Sequence, residues 1–520
     1  MRHIHLYVAS VLVCTGITLA QVVQPGTIPM TPMVTSGLVR TKIIVPDAFK
    51  TAQGLQIDRF VNVPEGWTAR VFYAGNALSK PRFMAWGPDS VLYVANMNGQ
   101  NVLALPDADG NGVAESPIVA ASGFSTGHDV RFWRDTMYVC QQAGVVAFQD
   151  QNKDRRWENR RVVVDRTTIP NWSGGRHGTR TLVVDSVHNA LFVSVGSNGN
   201  ADREAESGKF QRAMIERFDL SGKNRRVYAT GIRNAVGMTL HPRTGTLWAN
   251  NNGSDLQGDN VPPEWIDIIR DNGFYGYPFA YHHQNWFDLS NADYKDILPL
   301  TKADTSLFES MVPPAALVTA HMAPMAMEFS PLSFASPFTN GCFVVMRGSW
   351  NRTPASGYKV VFLAFDNDAD TIANFAIDFC TGFMTDSVAK QAWARPVGIA
   401  LHHDGSVYLS SDDLTPMILK LTPPTLVGVR DTDVRSSSLR VEPNPAAQEV
   451  RIRWDTESAS QCLVELIDLS GTVLITATAP LGIISTTGLT LPVGGIEQGA
   501  YIVRCTSNNR IITSNITIVR

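Results

Sequence analysis

Val397–Asp413 reads VGIALHHDGSVYLSSDD: an apolar run, the turn Asp404-Gly405, and a second run that carries an aromatic, Tyr408. Two short strand-forming runs around an Asp-Gly turn make a β-hairpin. The pattern recurs. FMAWGPDSVLYVAN begins at Phe83, VRFWRDTMYVC at Val130, LVVDSVHNALFVSVGS at Leu182, VGMTLHPRTGTLWANN at Val236 and MEFSPLSFASPFTNGCFVVMRGS at Met327. Six copies predict an all-β, six-bladed propeller, because one supersecondary unit repeated at blade length must bury its faces against its neighbours. The aromatics Tyr93, Tyr138, Phe192, Trp248, Phe343 and Tyr408 stand 45, 54, 56, 95 and 65 residues apart, so one interval holds an insertion, placed from Asp255 to His321.

A further strand follows four of the copies and ends in an acidic turn: VLALPDADGNG, VVAFQDQNKD, IERFDLSG and VFLAFDNDAD. In the first, Asp107, Asp109, Asn111 and Gly112 have the offsets of a calcium loop, but no glutamate closes the twelfth position. Recurrence at equivalent blade positions reads as turn chemistry.

At the entry to each copy stands a cation, a histidine or both: Arg82, His128, the RHGTR segment Arg176–Arg180, Arg233-Asn234, His321 and Arg395. In a propeller these positions converge on the mouth of the central channel, where ligands bind. A ring of guanidinium groups suits an anionic ligand, a polycarboxylate or phosphate, since guanidinium forks onto carboxylates and stays charged. His177 lies between Arg176 and Arg180, and neighbouring cations disfavour a third charge, so its imidazole is expected neutral and able to act as a base.

Composition bounds the setting. The chain has 520 residues, 44% hydrophobic and 18% charged, which is that of a folded protein of one large and one small domain. A net charge of -3 without a Lys/Arg run argues against a nucleic-acid partner. Residues 1–20 read as a secretory signal peptide: Arg2, an apolar stretch from Leu6, and Thr18 and Ala20 at the cleavage positions. Residues 21–59 form an N-terminal extension, and no later run is long and apolar enough for a transmembrane helix. Cys140, Cys342, Cys380, Cys462 and Cys505 remain, with no CxxC or CxxCH, which argues against a zinc ribbon or covalent haem; Cys462 and Cys505 are either a pair or two buried thiols.

At HGTRTLVVD with LFVSVGSN, YATGIRNAVGMTLHPRTGTLW, DNGFYGYP, GSWNR with GYKVV, and RPVGIALHHDGSVYLSSDD, the chain resembles the pyrroloquinoline-quinone (PQQ)-dependent sugar dehydrogenases, the glucose/sorbosone and pyranose dehydrogenase-like propellers, over about residues 60–422. The resemblance implies a secreted PQQ- and Ca2+-dependent oxidoreductase acting on the anomeric carbon of an aldose or related sugar. It makes His177 the general base that takes the anomeric hydroxyl proton, and Arg233 and Asn234 cofactor contacts. Arg395, Arg352, Arg180, His128 and His321 join them as cofactor-site candidates, and Glu264, Asp259 and Asp255 are the candidate metal ligands. The chain departs from related sequences at Asn251-Asn252-Gly253, where they carry an acidic-basic pair, and in its cofactor lysine, for which Arg347, Arg352 or Lys359 could stand in. With no haem motif, electrons leave through a separate acceptor, a cytochrome or soluble carrier. Taken alone, the ring also suits a calcium-dependent, lactonase-like hydrolase or a non-catalytic propeller that binds sugar or protein.

Beyond Pro423 the blade pattern stops, and VRDTDVRSSSLR reads as a linker over 423–440. Residues 441–520 carry a PNP opening at Pro443–Pro445, a D-x-x-G hairpin at Asp468 and Gly471, and a G-x-Y strand at Gly499 and Tyr501. They resemble the C-terminal sorting domain of type IX secretion, a small Ig-like β-sandwich. That implies passage through the periplasm, engagement of the type IX machinery, and release or attachment at the cell surface once the sorting domain is removed.

Overall fold

The computed structural model describes residues 28–35, 37–167, 176–203, 212–331, 334, 338–367, 370–424, 439–454, 461–468, 473–507 and 510–519. The expected signal peptide at 1–20 and most of the expected linker at 423–440 lie outside the described residues, as do 469–472 in the D-x-x-G stretch.

Each of the six sequence copies is the innermost hairpin of one sheet. Blade one runs through Pro81–Trp86, Leu92–Asn96, Asn101–Leu105 and Ile118–Ser122 in antiparallel order. Blade two starts at Asp129–Trp133, blade three at Leu182–Asp185, blade four at Met238–Leu240, blade five at Pro324–Phe329 and blade six at Pro396–Leu401. These six inner strands touch in that order, and blade six returns to blade one. The ring closes by an exchange of chain: blade six takes its fourth strand, Thr68–Ala74, from ahead of blade one, pairing it antiparallel with Met417–Thr422, and Leu38–Ile44 and Phe60–Pro64 extend the same sheet beyond it.

The recurring aromatic has a packing reason. It sits on the second strand and reaches across the seam to the next blade. Tyr93 lies 4.9 Å from Phe132 of blade two, Trp248 lies 5.4 Å from Phe329 of blade five, and Tyr408 lies 5.1 Å from Trp86 of blade one. Edge-on and tilted ring contacts of this kind fill a wedge between twisted sheets that aliphatic chains fill poorly.

The insertion differs from its expected limits. Glu264–Ile268 and Ala316–Val318 are the third and fourth strands of blade four, so the inserted chain is 269–315, between them. It carries a short hairpin, Ala280–Tyr281 with Asn285–Trp286, and a helix, Lys302–Glu309. Thr301 caps that helix through a reciprocal bond with Asp304. Phe274, Phe279, Phe287, Tyr294 and Ile297 give the insertion a core of its own.

The C-terminal unit is two sheets face to face. One holds Leu439–Glu442, Glu449–Trp454 and Leu489–Pro492; the other holds Val473–Pro480, Gln461–Asp468, Gly499–Ser507 and Arg510–Ile518. Its PNP opening has a mechanical role, because Asn444 accepts the Thr517 amide at 2.8 Å and donates to the Asn515 carbonyl at 3.1 Å, fastening the first loop to the last strand. All five described cysteines, Cys462 and Cys505 included, are buried free thiols. No helix among the described residues is long and apolar enough to cross a membrane.

Phe72, on the closing strand, is buried and meets Tyr408 edge-on at 5.0 Å. Phe72→Ala is expected to cost about 3–5 kcal/mol, the usual range for emptying a buried aromatic site. The exposed Thr68→Ala on the same strand should cost far less. Urea denaturation of the two variants measures how much stability closure carries.

Candidate functional site

The channel mouth opens into a cavity of about 490 Å3, lined among others by Lys80, Arg82, Arg176, Arg233, Arg347 and Arg395, with Asp255 and Glu264 as its carboxylates. The excess of cations follows from topology. Each inner strand starts at this end, so the loops ahead of the strands gather at the mouth, where some of their side chains face the axis.

His177 precedes the inner strand of blade three. Its Nδ1 lies 2.9 Å from the Ser197 carbonyl and 3.0 Å from Ser197 Oγ, which itself donates to the Gly199 carbonyl at 2.7 Å. A carbonyl only accepts, so Nδ1 carries the proton and Nε2 keeps its lone pair. Burial first, then the Arg233 charge, and further Arg212 and Arg180, push the imidazole down to about 3, against a smaller upward effect of the Ser197 bond. The ring is therefore neutral across the physiological range.

Arg233 and Asn234 precede the inner strand of blade four. Arg233 donates to the Asn200 carbonyl (3.0 Å), to Asn200 Oδ1 (3.1 Å), to the Asn252 carbonyl (3.3 Å) and to Asp255 Oδ2 (3.0 Å). This places the guanidinium rigidly at the cavity wall. Gly196 lets Asn234 and His177 approach each other: a Cβ there would stand 2.6 Å from both Asn234 Oδ1 and the His177 Cβ.

The departure at Asn251-Asn252-Gly253 turns out to be scaffolding. Asn251 Oδ1 accepts the Asn234 amide at 2.9 Å, Asn252 Nδ2 donates to the Pro324 carbonyl at 2.7 Å, and the Gly253 amide donates to Glu264 Oε2 at 2.7 Å. Gly253 has no room for a side chain, since a Cβ would lie 2.5 Å from Pro262 Cγ. Glu264 is buried at the start of the third strand of blade four, and desolvation pushes its carboxyl up to about 8. Asp255 takes Arg233 on one oxygen and Asn351 Nδ2, at 2.7 Å, on the other. The Oδ1 of Asn351, also at the cavity, is buried with no hydrogen-bond partner among the described residues.

Five expected site residues stand elsewhere or are tied. His128 is fully buried behind the ring, where Nδ1 accepts from Arg82 Nε at 3.1 Å, and it does not line the cavity. Arg180 is fully buried as well, turned back onto its own loop. Arg352 donates to the Asp259 carbonyl, Pro354 carbonyl and Asn260 Oδ1, while Asp259 accepts the Thr353 amide, so this pair holds two loops together outside the lining. His321 does line the cavity, but its Nε2 is spent on the Gly258 carbonyl at 3.1 Å.

Of the three stand-ins for a cofactor lysine, Arg347 reaches the cavity. Lys359 is ion-paired with Asp378 at 2.6 Å within blade five. Sequence reasoning missed Lys80, two residues ahead of the ring position Arg82, and Asp412, the buried carboxylate that bridges Arg82 and Arg347 (2.9 Å to the latter). The Asp412-Asp413 pair that closes the sixth copy was the available signal. Burial first, then Arg82 and, after Asp412, Arg347, act on the Lys80 ammonium, with a net downward shift.

Away from the mouth, Asp107, Asp109 and Glu115 bring carboxylate oxygens within 4.8 Å of one another. All three accept backbone amides of their own turn, those of Gly112, Asn111 and Ala108. This agrees with the reading of that loop as turn chemistry.

Fold and site together define a six-bladed propeller with an anion-seeking cavity around a neutral histidine. Residues 61–420 match the TrAA12-like family model, and the chain belongs to that family. Among its relatives is a Hypocrea jecorina protein described as a PQQ-dependent sugar dehydrogenase, 23% identical over 395 residues, covering 67% of this chain and 86% of the relative. A Coprinopsis cinerea PQQ-dependent pyranose dehydrogenase is 27% identical over 306 residues, which is 48% of this chain and 40% of the relative's length. Two solved structures share the fold. One is the Trichoderma reesei Carbohydrate-Active Enzymes Family AA12 protein (TM-score 0.59, 23% identity, 69% of this chain and 96% of that one). The other is the PQQ domain of Coprinopsis cinerea pyranose dehydrogenase in its holo form (TM-score 0.56, 22% identity, 73% and 99%). Residues 440–519 match the secretion system C-terminal sorting domain, which marks the chain for type IX export to the medium or the cell surface.

Because the imidazole is held near 3, side-chain histidine NMR of the cofactor-free protein should show His177 as the neutral Nδ1–H tautomer from pH 8 down to pH 5. An imidazolium signal near pH 6 would contradict the geometry.

Proposed function

We propose that the protein is a PQQ-dependent sugar oxidoreductase that oxidises an aldose or related sugar at its anomeric carbon, with calcium as a second cofactor. The observation that carries the reading is His177: a neutral imidazole with its Nε2 lone pair available, in the wall of a cavity otherwise lined by cations. The family's relatives described as PQQ-dependent sugar and pyranose dehydrogenases support it.

The residues fit a planar tricarboxylate. Arg233 and Asn234 ahead of blade four, with Arg347, Arg395 and Lys80 from blades five, six and one, offer charge and hydrogen bonds around one cavity. PQQ, when bound, supplies a two-electron acceptor for the sugar's hydride. For calcium the oxygens on offer at the cavity are those of Glu264, Asp255 and Asn351 Oδ1, the last without a partner among the described residues, hard donors of the kind the ion takes. The site thus offers two carboxylates without Asp259.

His177 Nε2 takes the anomeric hydroxyl proton as the hydride leaves the same carbon, so the sugar loses one proton and one hydride and becomes the lactone. Ser197 fixes which nitrogen does this. Burial and the neighbouring cations, which keep the imidazole neutral before the step, also keep it a modest base. Trp350 stands 67% exposed at the cavity edge and offers an aromatic face to a pyranose ring. The two electrons leave afterwards to a separate acceptor.

Purified protein given PQQ and calcium is expected to reduce a dye in the presence of an aldose. His177→Ala should lower kcat by roughly 10²–10⁴-fold, the range for loss of a general base, while PQQ still binds by calorimetry. Failure of the wild-type protein to bind PQQ would overturn the reading.

Calcium must displace a proton from Glu264, so its affinity should rise with pH through about 8. Calorimetry on the cofactor-free protein tests this: the pH dependence should vanish in Glu264→Gln and survive in Asp107→Asn. The reverse pattern would put the ion in the blade-one turn.

A further inference from the structure

We propose that Arg180 and Arg212 are positioning residues that clamp the backbone carbonyl of His177 from behind and so set the depth and orientation of its imidazole in the cavity wall. The inference rests on His177 being the base.

Arg180 Nη1 donates to the His177 carbonyl at 2.6 Å and to the Thr179 carbonyl at 2.7 Å. Arg212 Nη2 reaches the same His177 carbonyl at 3.2 Å, and its Nε donates to the Gly196 carbonyl at 2.9 Å. Arg212 therefore ties together the two chain segments that meet at the imidazole, the loop ahead of the inner strand of blade three and the turn after its second strand. Next to Gly196, Ser197 holds the ring through Nδ1. The residue is fixed at its carbonyl by two guanidinium groups and at its ring by one carbonyl.

Both arginines are buried, at 0% and 2% exposure, and neither lines the cavity. Burying guanidinium is costly, and satisfying a loop carbonyl does not require it, since a water or an amide would serve. Two at one carbonyl make sense where that carbonyl's position matters. Glu216, on the third strand of blade three, is fully buried, pairs with Arg225 and lies 3.8 Å from Arg166. Its negative charge also acts favourably on Arg180.

The charged groups that act on the imidazole come from three elements: Arg233 ahead of blade four, Arg212 ahead of the third strand of blade three, and Arg180 on His177's own loop. The clamp thus contributes charge as well as position, and the two are separable. Arg212→Lys keeps the charge and loses the fork that spans two carbonyls. Arg212→Met loses both.

The test uses the full chain as wild type, Arg212→Lys, Arg212→Met and Arg180→Lys. Three quantities are read: the His177 ring titration by nitrogen-15 NMR without cofactor, PQQ affinity by calorimetry, and kcat and KM for an aldose against pH. Arg212→Met is expected to raise the imidazole midpoint and weaken the Nδ1 bond to Ser197. Its kcat should fall roughly 10- to 100-fold, as misplacement of a reacting group does, with KM and PQQ affinity unchanged. Arg212→Lys should restore the titration but not kcat. Arg180→Lys should lower kcat in the same way.

Unchanged titration and kcat in all three variants would overturn the clamp. So would a loss of kcat matched by an equal loss of PQQ affinity, which marks a merely structural role. If Arg212→Met does not fold, the two lysine variants carry the same comparison. If the wild type turns over no sugar, the oxidoreductase reading fails, while the ring titration and Nδ1 bond in the cofactor-free variants still decide whether the arginines hold His177.

Discussion

The antiparallel pairing of Thr68–Ala74 with Met417–Thr422 is the contact on which the rest depends. Six twisted sheets side by side have two free ends, and only a strand shared between the chain's two extremities turns the row into a ring. Once the ring is closed, the inner strands have a common axis, and each loop ahead of them has a fixed place at the mouth. The cavity is a consequence of closure: Arg82 of blade one meets Asp412 of blade six, and Asp412 also holds Arg347 of blade five. Three blades share one buried carboxylate at the point where the circle joins.

The electrostatics of the mouth are built on inequality. Cations outnumber carboxylates in the lining, and of its two carboxyls Glu264 is pushed toward its protonated form by burial while Asp255 is committed to Arg233. Burial first, and then this field, holds the His177 imidazole neutral. What would be a liability for a histidine that titrates near pH 6.5 suits the role of base proposed for His177. The same field draws anionic ligands in. One arrangement thereby keeps His177 neutral and makes the cavity favourable to an anion.

Much of this was legible in the sequence, for a physical reason. The blade repeat shows because the aromatic that fills the seam must recur once per blade, as Tyr93, Trp248 and Tyr408 do. His177, Arg233, Asn234 and Arg395 are found because position ahead of an inner strand is enough to place a residue near the axis. Direction is not written in position. His128 and Arg180 occupy ring positions and point into the protein, where Arg82 and the His177 loop engage them. Arg347 and Arg352 lie five residues apart on one loop, yet only the first lines the cavity, because Asp259 and Asn260 of a neighbouring loop capture the second. Lys80 was passed over since nothing about an isolated lysine announces the cluster it joins. The limits of the insertion were misjudged because Glu264–Ile268 and Ala316–Val318, the third and fourth strands of blade four, lie outside the repeated hairpin and are parted by the inserted chain.

The exchange of chain that closes the ring also orders events in time. The strand Thr68–Ala74 is made before every blade, and its partner Met417–Thr422 after five of them and most of the sixth. Through all of that interval the early strand, paired on one side with Ile43–Ile44, has its other side open, and the contact that finally covers it is among the most distant in the molecule. The propeller can be assembled blade by blade but is finished in a single late act, just ahead of the segment that directs its export.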